Sequence, residues 1–310
     1  MRVARVRGPG HPDQACDQVA AAIVEEYIRR DSASRLEVRV SGGRGALFVA
    51  GEVISQADFD VSSVVRRTLG GIGSMGAMEP FIAFETLSPQ AAPVFGAREV
   101  VQVMGYATDE TPELLPRPIV CARQLARGLE HRRLNDPEWF WLGADYDVTV
   151  FERDGHLSVV VRAEHAAQFS LLQVRATITQ CVKDLWQEAE TRVNAGGEEV
   201  RGGLSGRMGM SDQRSPMEMY GSHIPCPVSR VGMHASHPSI MGSWMARQIA
   251  RERVREGRGK AVMVEAMWLP FETRPQAVRI RNERGENLSS EEDWTRFDLS
   301  RLQVMNPHPS

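Results

Sequence analysis

Leu36-Glu37-Val38-Arg39-Val40-Ser41-Gly42-Gly43-Arg44-Gly45-Ala46-Leu47-Phe48-Val49-Ala50-Gly51-Glu52-Val53 sets the reading of the fold. Leu36 to Val40 alternate apolar and charged side chains, as a half-buried strand does. Ser41 to Gly45 read as a turn. Ala46 to Val53 form a second strand ending at an acid, so the stretch is a hairpin. Upstream, Gly10-His11-Pro12-Asp13 opens a helix. Gly10 permits an unusual turn, and Pro12 and Asp13 suit the first helical positions. Val19, Ile23 and Tyr27 then make an apolar stripe. His11 and Asp13 project from a helix N-terminus, where unpaired N–H groups favour anions. Downstream, Asp58 to Leu69 reads as a second helix.

This order recurs. Val100 to Tyr106 is a strand, and Pro116 to Glu130 an amphipathic helix built on Ile119, Ala122, Leu125 and Leu129. Asp147 to Phe151 and Leu157 to Val161, joined through Asp154-Gly155, form another hairpin. Phe169 to Val193 reads as one long helix, Pro238 to Glu256 as a helix and Ala261 to Trp268 as a strand. A hairpin followed by a helix appears about three times. The pattern predicts an α+β fold of three pseudo-repeated domains, each an antiparallel or mixed sheet packed with helices. The boundaries fall at 1–112, 113–225 and 226–310. Gly70 to Pro93 is rich in glycine and proline and reads as an irregular gating loop. Gly202 to about Ser222 reads as a polar loop, and Gly285 to Ser310 as a polar, frayed end. Tyr106 and Trp244 read as core residues.

The 310 residues carry a net charge of −3, which gives no basic field for nucleic acid. No apolar stretch reaches membrane-spanning length and no signal-peptide pattern opens the chain, so a soluble cytoplasmic protein is expected. Cys16, Cys121, Cys181 and Cys226 are scattered and read as free thiols of a reducing compartment. Of the 37 lysines and arginines, only Lys183 and Lys260 are lysine. A polyphosphate cradle made of lysine ammonium groups therefore cannot be assembled here, and arginine is not an equivalent substitute.

Three segments in order resemble the S-adenosylmethionine synthetase (methionine adenosyltransferase) family. The first is Gly10-His11-Pro12-Asp13 with Cys16-Asp17-Gln18, followed by Val49-Ala50-Gly51-Glu52. The second is Gly105-Tyr106-Ala107-Thr108-Asp109-Glu110-Thr111 with Leu115-Pro116-Arg117-Pro118-Ile119. The third is Gly202-Gly203 with Gly209, Met219-Tyr220-Gly221 and Met245-Ala246-Arg247. The chain is identified as a divergent, shortened member, similar over residues 8 to 300. The resemblance implies three similar α+β domains and a homodimer with its active site between subunits. There, methionine sulfur attacks the ribose 5′-carbon of ATP and displaces triphosphate, with magnesium assisting. It implies that His11 lies beside the leaving oxygen and that Asp13 binds magnesium. Glu52 would hold the methionine ammonium, Glu99 would lie near substrate, and Met267 would cover adenine of the partner subunit.

Other family positions have changed. The lysine after His-Pro-Asp is Gln14. The potassium-binding acid is Arg39, whose guanidinium stands in for the cation. The lysine before the second hairpin is Asp145, and a magnesium aspartate is Arg207. An Arg-Lys pair is Gln213-Arg214. The glycine-rich phosphate loop becomes Val231-Gly232-Met233-His234-Ala235-Ser236-His237-Pro238-Ser239, with Met233 and His237 at lysine positions and Ser239 at an aspartate. Each lost charge-assisted phosphate contact costs roughly 1.5–3 kcal/mol. His11, His234 and His237 are the candidate catalytic groups. Glu52, Glu99, Arg207, Gln213, Arg214 and Met267 are the candidate substrate contacts, and Asp13 the candidate metal ligand, with magnesium binding weakened. His223, Cys226, His234 and His237 offer a zinc alternative. The expected function is adenosyl–sulfur chemistry with a degraded polyphosphate site, on ATP and methionine or on S-adenosylmethionine itself. The rival is a non-catalytic partner of a true synthetase.

Overall fold

The computed structural model describes residues 1–73, 76–88, 96–222, 224–225 and 231–300. Strands β1 (Arg2–Arg7), β2 (Arg35–Gly43), β3 (Ala46–Ile54), β4 (Glu79–Thr86), β5 (Val101–Thr108), β6 (Leu142–Arg153), β7 (His156–His165), β8 (Glu190–Val193), β9 (Gly209–Met210), β10 (Ala261–Trp268) and β11 (Ala277–Asn282) form three sheets. Helices α1 (Pro12–Arg30), α2 (Val61–Ile72), α3 (Arg117–Asn135), α4 (Leu171–Leu185), α7 (Pro238–Arg255) and α8 (Glu291–Arg296) pack against them. The single turns α5 (Gly203–Gly206) and α6 (Pro216–Met219) lie between β8 and α7.

The α+β pseudo-repeat is explicit. β2-β3-α2-β4 and β6-β7-α4-β8 are each an antiparallel hairpin, a crossover helix and a strand parallel to the second hairpin strand. A third hairpin, β10-β11, follows α7. Each hairpin's first strand is flanked by an antiparallel strand from elsewhere in the chain: β9 beside β2, β1 beside β6, and β5 beside β10. The sheets therefore do not correspond to the contiguous stretches 1–112, 113–225 and 226–310. β1 and β5, both in the first stretch, belong to the second and third sheets.

Each sheet has its own core. Val19, Ile23, Val64 and Leu69 of α1 and α2 cover Val38, Val40, Leu47 and Val49. Ile119, Leu125, Leu129 and Ile178 cover Val148, Val150 and Val159. Ala246, Ile249 and Trp268 pack with Val262, Val264 and Phe297. Gly105 lets α7 approach β5, because a Cβ there would meet the Ala246 carbonyl carbon at 2.1 Å.

Several expectations need correction. The irregular stretch after Gly70 contains β4, an edge strand that tolerates Pro80 and pairs in parallel with β3. Positions 74–75 and 89–93 of the expected gating loop lie outside the described residues. The long helix ends at Leu185, and Glu190–Val193 leaves it to pair with β7. α8 forms inside the end expected to fray, held by a reciprocal Ser290–Asp293 cap. Tyr106 is core, whereas Trp244 is 54% exposed. No helix among the described residues is long and apolar enough to cross a membrane.

Candidate active site

The chain enters the first cluster along β1. Gly8 and Gly10 donate to the Tyr146 and Ala144 carbonyls at 2.7 and 2.9 Å. A Cβ at Gly10 would lie 2.6 Å from the Ala144 carbonyl carbon, so only glycine passes here. His11 then caps α1, its Nδ1 accepting the Asp13 N–H at 3.2 Å. Nε2 therefore carries the proton. Burial, reinforced by Arg7, lowers the His11 pKa to about 3, so the ring is neutral at neutral pH.

Asp13 is already engaged. Its Oδ1 accepts the Met210 N–H at 3.0 Å, and its Oδ2 meets the Arg7 guanidinium. The Arg7 side chain, 3% exposed, also donates to Glu218 at 2.7 Å and to the Gln213 carbonyl at 2.6 Å. Gln213 thus reaches the cluster through its backbone. Arg214 donates to buried Asp17, one turn along α1, at 3.1 Å.

Asp145 is fully buried. It accepts from Arg207 at 2.7 Å and from the Gly203 N–H at 2.7 Å, and contacts Arg162. Burial opposes its ionisation, but the two guanidiniums and the N–H outweigh it and hold the carboxyl below its usual range. Neighbouring Glu164, pushed up by burial, accepts from Gly202 at 3.0 Å.

A second cluster lies further along β2. Arg35, Glu37, Glu52, Arg98, Glu99, His234 and His237 line a cleft of about 230 Å³. Here the loop after residue 230 continues the sheet beyond β9. Val38 N–H donates to the Gly232 carbonyl at 2.6 Å, and Met233 bridges Glu37. Met233, expected at a lysine position of the family, is 5% exposed and part of the interior. Glu52 and Arg98 pair at 2.8 Å. His234 Nδ1 lies 3.2 Å from the Leu36 carbonyl, which makes it the donor and leaves Nε2 unprotonated. His237 caps α7 through Nδ1, accepting the Ser239 N–H at 3.2 Å, and carries its proton on Nε2. Burial, helped by His234 and Arg39, lowers His237 to about 3, and burial lowers His234 as well. The two rings meet edge to face at 5.8 Å. The cleft thus offers one neutral imidazole acceptor beside one donor.

The two clusters share β2 but not a cavity. Four residues separate Glu37, at the cleft, from Ser41, which pairs with Met210. That is about 13 Å at 3.3 Å per residue. Arg39 lies between, 3.0 Å from Glu37 and 3.9 Å from Asp212. Met267 joins neither cluster; it lines a shallow groove with Gln102, Gln276 and Trp294. His223 and Cys226 lie outside the described residues. Among the described residues, no three His, Cys, Asp or Glu side chains are arranged to hold a metal ion.

The family description "S-adenosylmethionine synthetase, N-terminal domain" matches residues 4–88, and "S-adenosylmethionine synthetase, central domain" matches residues 94–198. The chain belongs to the S-adenosylmethionine synthetase family. It is 27% identical to the S-adenosylmethionine synthase of Thermus thermophilus, over 97% of this chain and 85% of that protein. It is 28% identical to that of Myxococcus xanthus, over 87% of this chain and 75% of the relative. Against S-adenosylmethionine synthase 1 of Frankia casuarinae the identity is 37%, over 52% of this chain and 48% of the relative.

The positions read as a lysine and a magnesium aspartate hold Asp145 and Arg207, which pair with each other. Arg7, Arg162 and Glu218, the groups that complete this neutralisation, escaped the sequence reading. β1 was not recognised as a strand, and its alternation (Val6 beside Arg5 and Arg7) was the available signal. Arg98 was likewise visible only as a neighbour of Glu99.

Proposed function

We propose that this member of the S-adenosylmethionine synthetase family binds an adenosyl–sulfur compound and has lost the polyphosphate site. The observation that carries the reading is the Asp145–Arg207 pair, together with Arg7 on Asp13. Charges that would face triphosphate are spent on one another. Magnesium does not fit this cluster. One Asp13 oxygen accepts a backbone N–H, the other faces a guanidinium, and Arg207 occupies the second metal position.

A sulfonium such as S-adenosylmethionine suits what remains. When a nucleophile attacks carbon next to its sulfur, the C–S bond breaks and its electron pair leaves on a neutral thioether. No departing anion then needs stabilising. Glu52 supplies a carboxylate for an amino group or for the sulfonium. His234, neutral and unprotonated at Nε2, can accept a proton within the same cleft.

The outer face of the first sheet supports a homodimer with a composite site. Phe48 and Phe81, 54% and 51% exposed, stack at 5.1 Å. Such an apolar face is a natural contact for a second copy. Incubation with ATP plus methionine, and separately with S-adenosylmethionine, followed by mass spectrometry tests the reading. Product from S-adenosylmethionine alone is expected. Product from ATP and methionine restores ordinary synthesis, and ligand binding without product in either arm leaves the non-catalytic partner.

A further inference from the structure

The helices α3 and α7 carry five arginines with no carboxylate partner among the described residues. Among the described residues, no ion pair reaches the partly buried Arg123 on α3 or Arg247 and Arg251 on α7, nor the exposed Arg127 and Arg255, whereas the enclosed Arg7, Arg133 and Arg162 each have one. On α7 the three lie four residues apart and form one stripe. Arg247 is fixed by backbone carbonyls: it donates to Leu114 at 3.0 Å, to Glu113 at 2.9 Å and to Tyr106. Its guanidinium carbon lies 5.9 Å from the Tyr220 ring, and Tyr220 is 3% exposed. Arg251 donates through one terminal nitrogen to Gln248 at 3.1 Å, while its Nε is buried with no partner. Arg123 lies within electrostatic reach of both Tyr220 and Arg247. Burial, with Arg251, Arg123 and Arg255 adding like charge, lowers Arg247 to about 10.

Partly buried guanidiniums without a counter-charge, as at Arg123, Arg247 and Arg251, raise the free energy of the fold unless an anion joins them. Planar guanidiniums bind phosphate oxygens in pairs, and their number here exceeds what a monoanion needs. We propose that Arg123 of α3 and the Arg247 and Arg251 stripe of α7 form a binding site for a phosphate-bearing small anion. The site is separate from the candidate cleft. Arg247 lies ten residues from His237 along α7, or about 15 Å at 1.5 Å per residue. Because α3 packs on the second sheet and α7 on the third, the anion bridges two layers of the molecule. The proposal does not depend on what the cleft binds.

Calorimetric titration of the full chain with inorganic pyrophosphate, without magnesium, tests it. One saturable site per chain is expected, with a rise in unfolding temperature on binding. Arg123→Gln and Arg251→Gln each weaken binding at least tenfold and abolish that rise. Arg123→Lys, which keeps charge and fold, holds the affinity within severalfold, and exposed Arg153→Gln leaves it unchanged. Absence of saturable binding, binding that survives both glutamine variants, or equal loss with Arg153→Gln overturns the proposal.

Discussion

Asp145 and Arg207 face each other at 2.7 Å, in positions where the family resemblance places a lysine and a magnesium-binding aspartate. On the proposed reading the two charges are reversed together, and here they form an ion pair with each other. Asp145→Asn leaves Arg162 and Arg207 without their shared carboxylate. It should cost about 3 kcal/mol, the usual penalty for breaking a buried pair from one side. Arg207→Gln should cost about 1 kcal/mol or less, since Arg207 is 42% exposed and Arg162 remains on Asp145. Urea denaturation of both variants checks the asymmetry.

The buried histidines predict an acid-sensitive fold. His11 and His237 remain neutral in the folded chain down to about pH 3, whereas in the unfolded chain they protonate near 6.5. Their contribution is complete above 6.5 and is lost as pH falls from there toward 3. Each removes about 1.4 kcal/mol per unit of pH within that window. Glu164, whose folded pKa is raised, acts in the opposite direction as pH rises through its own range. Denaturation midpoints measured between pH 7 and 5 should fall, and His11→Gln should reduce the slope.

Gly105 is a packing contact between sheet and helix. Gly105→Ala places a methyl group 2.1 Å from the Ala246 carbonyl carbon and must push α7 away from β5. A loss of about 3 kcal/mol, the upper range for overpacking, is expected by chemical denaturation. Gly70→Ala, where the added atom meets nothing within 4 Å, is the control.

The apolar face predicts assembly. Phe48→Glu combined with Phe81→Glu should convert a dimer to monomer by light scattering. Both side chains are about half exposed in the single chain, so the fold should survive.

Glu52 separates ligand binding from folding. Its pair with Arg98 is solvent-exposed on both sides and contributes little to stability. Glu52→Gln should weaken S-adenosylmethionine binding about tenfold or more, the value of one charge-assisted contact, with an unchanged unfolding midpoint.

Local pattern revealed the hairpins and most helices, because alternation and capping residues are written in adjacent positions. It missed β1 and β4, whose pairing partners lie across a long stretch of chain or a crossover helix, and β11, which closes a hairpin with β10 through a loop carrying no short-turn signal. It also merged α4 with β8, since the residues from 171 to 193 remain apolar at intervals that fit either state. At the candidate site, changed charges could be read from Asp145, Arg207 and Met233. That Asp145 and Arg207 neutralise each other, and that Arg7 and Glu218 close around Asp13, depends on folding β1, α6 and β6 together. The separation of His11 from His234 and His237 was likewise invisible in spacing alone.

Turnover of ATP with methionine and magnesium, followed as triphosphate and phosphate release, measures the central claim most directly. The wild-type chain should release neither above background, while S-adenosylmethionine binds saturably to the same preparation. Sustained triphosphate formation by the wild-type chain would contradict the account.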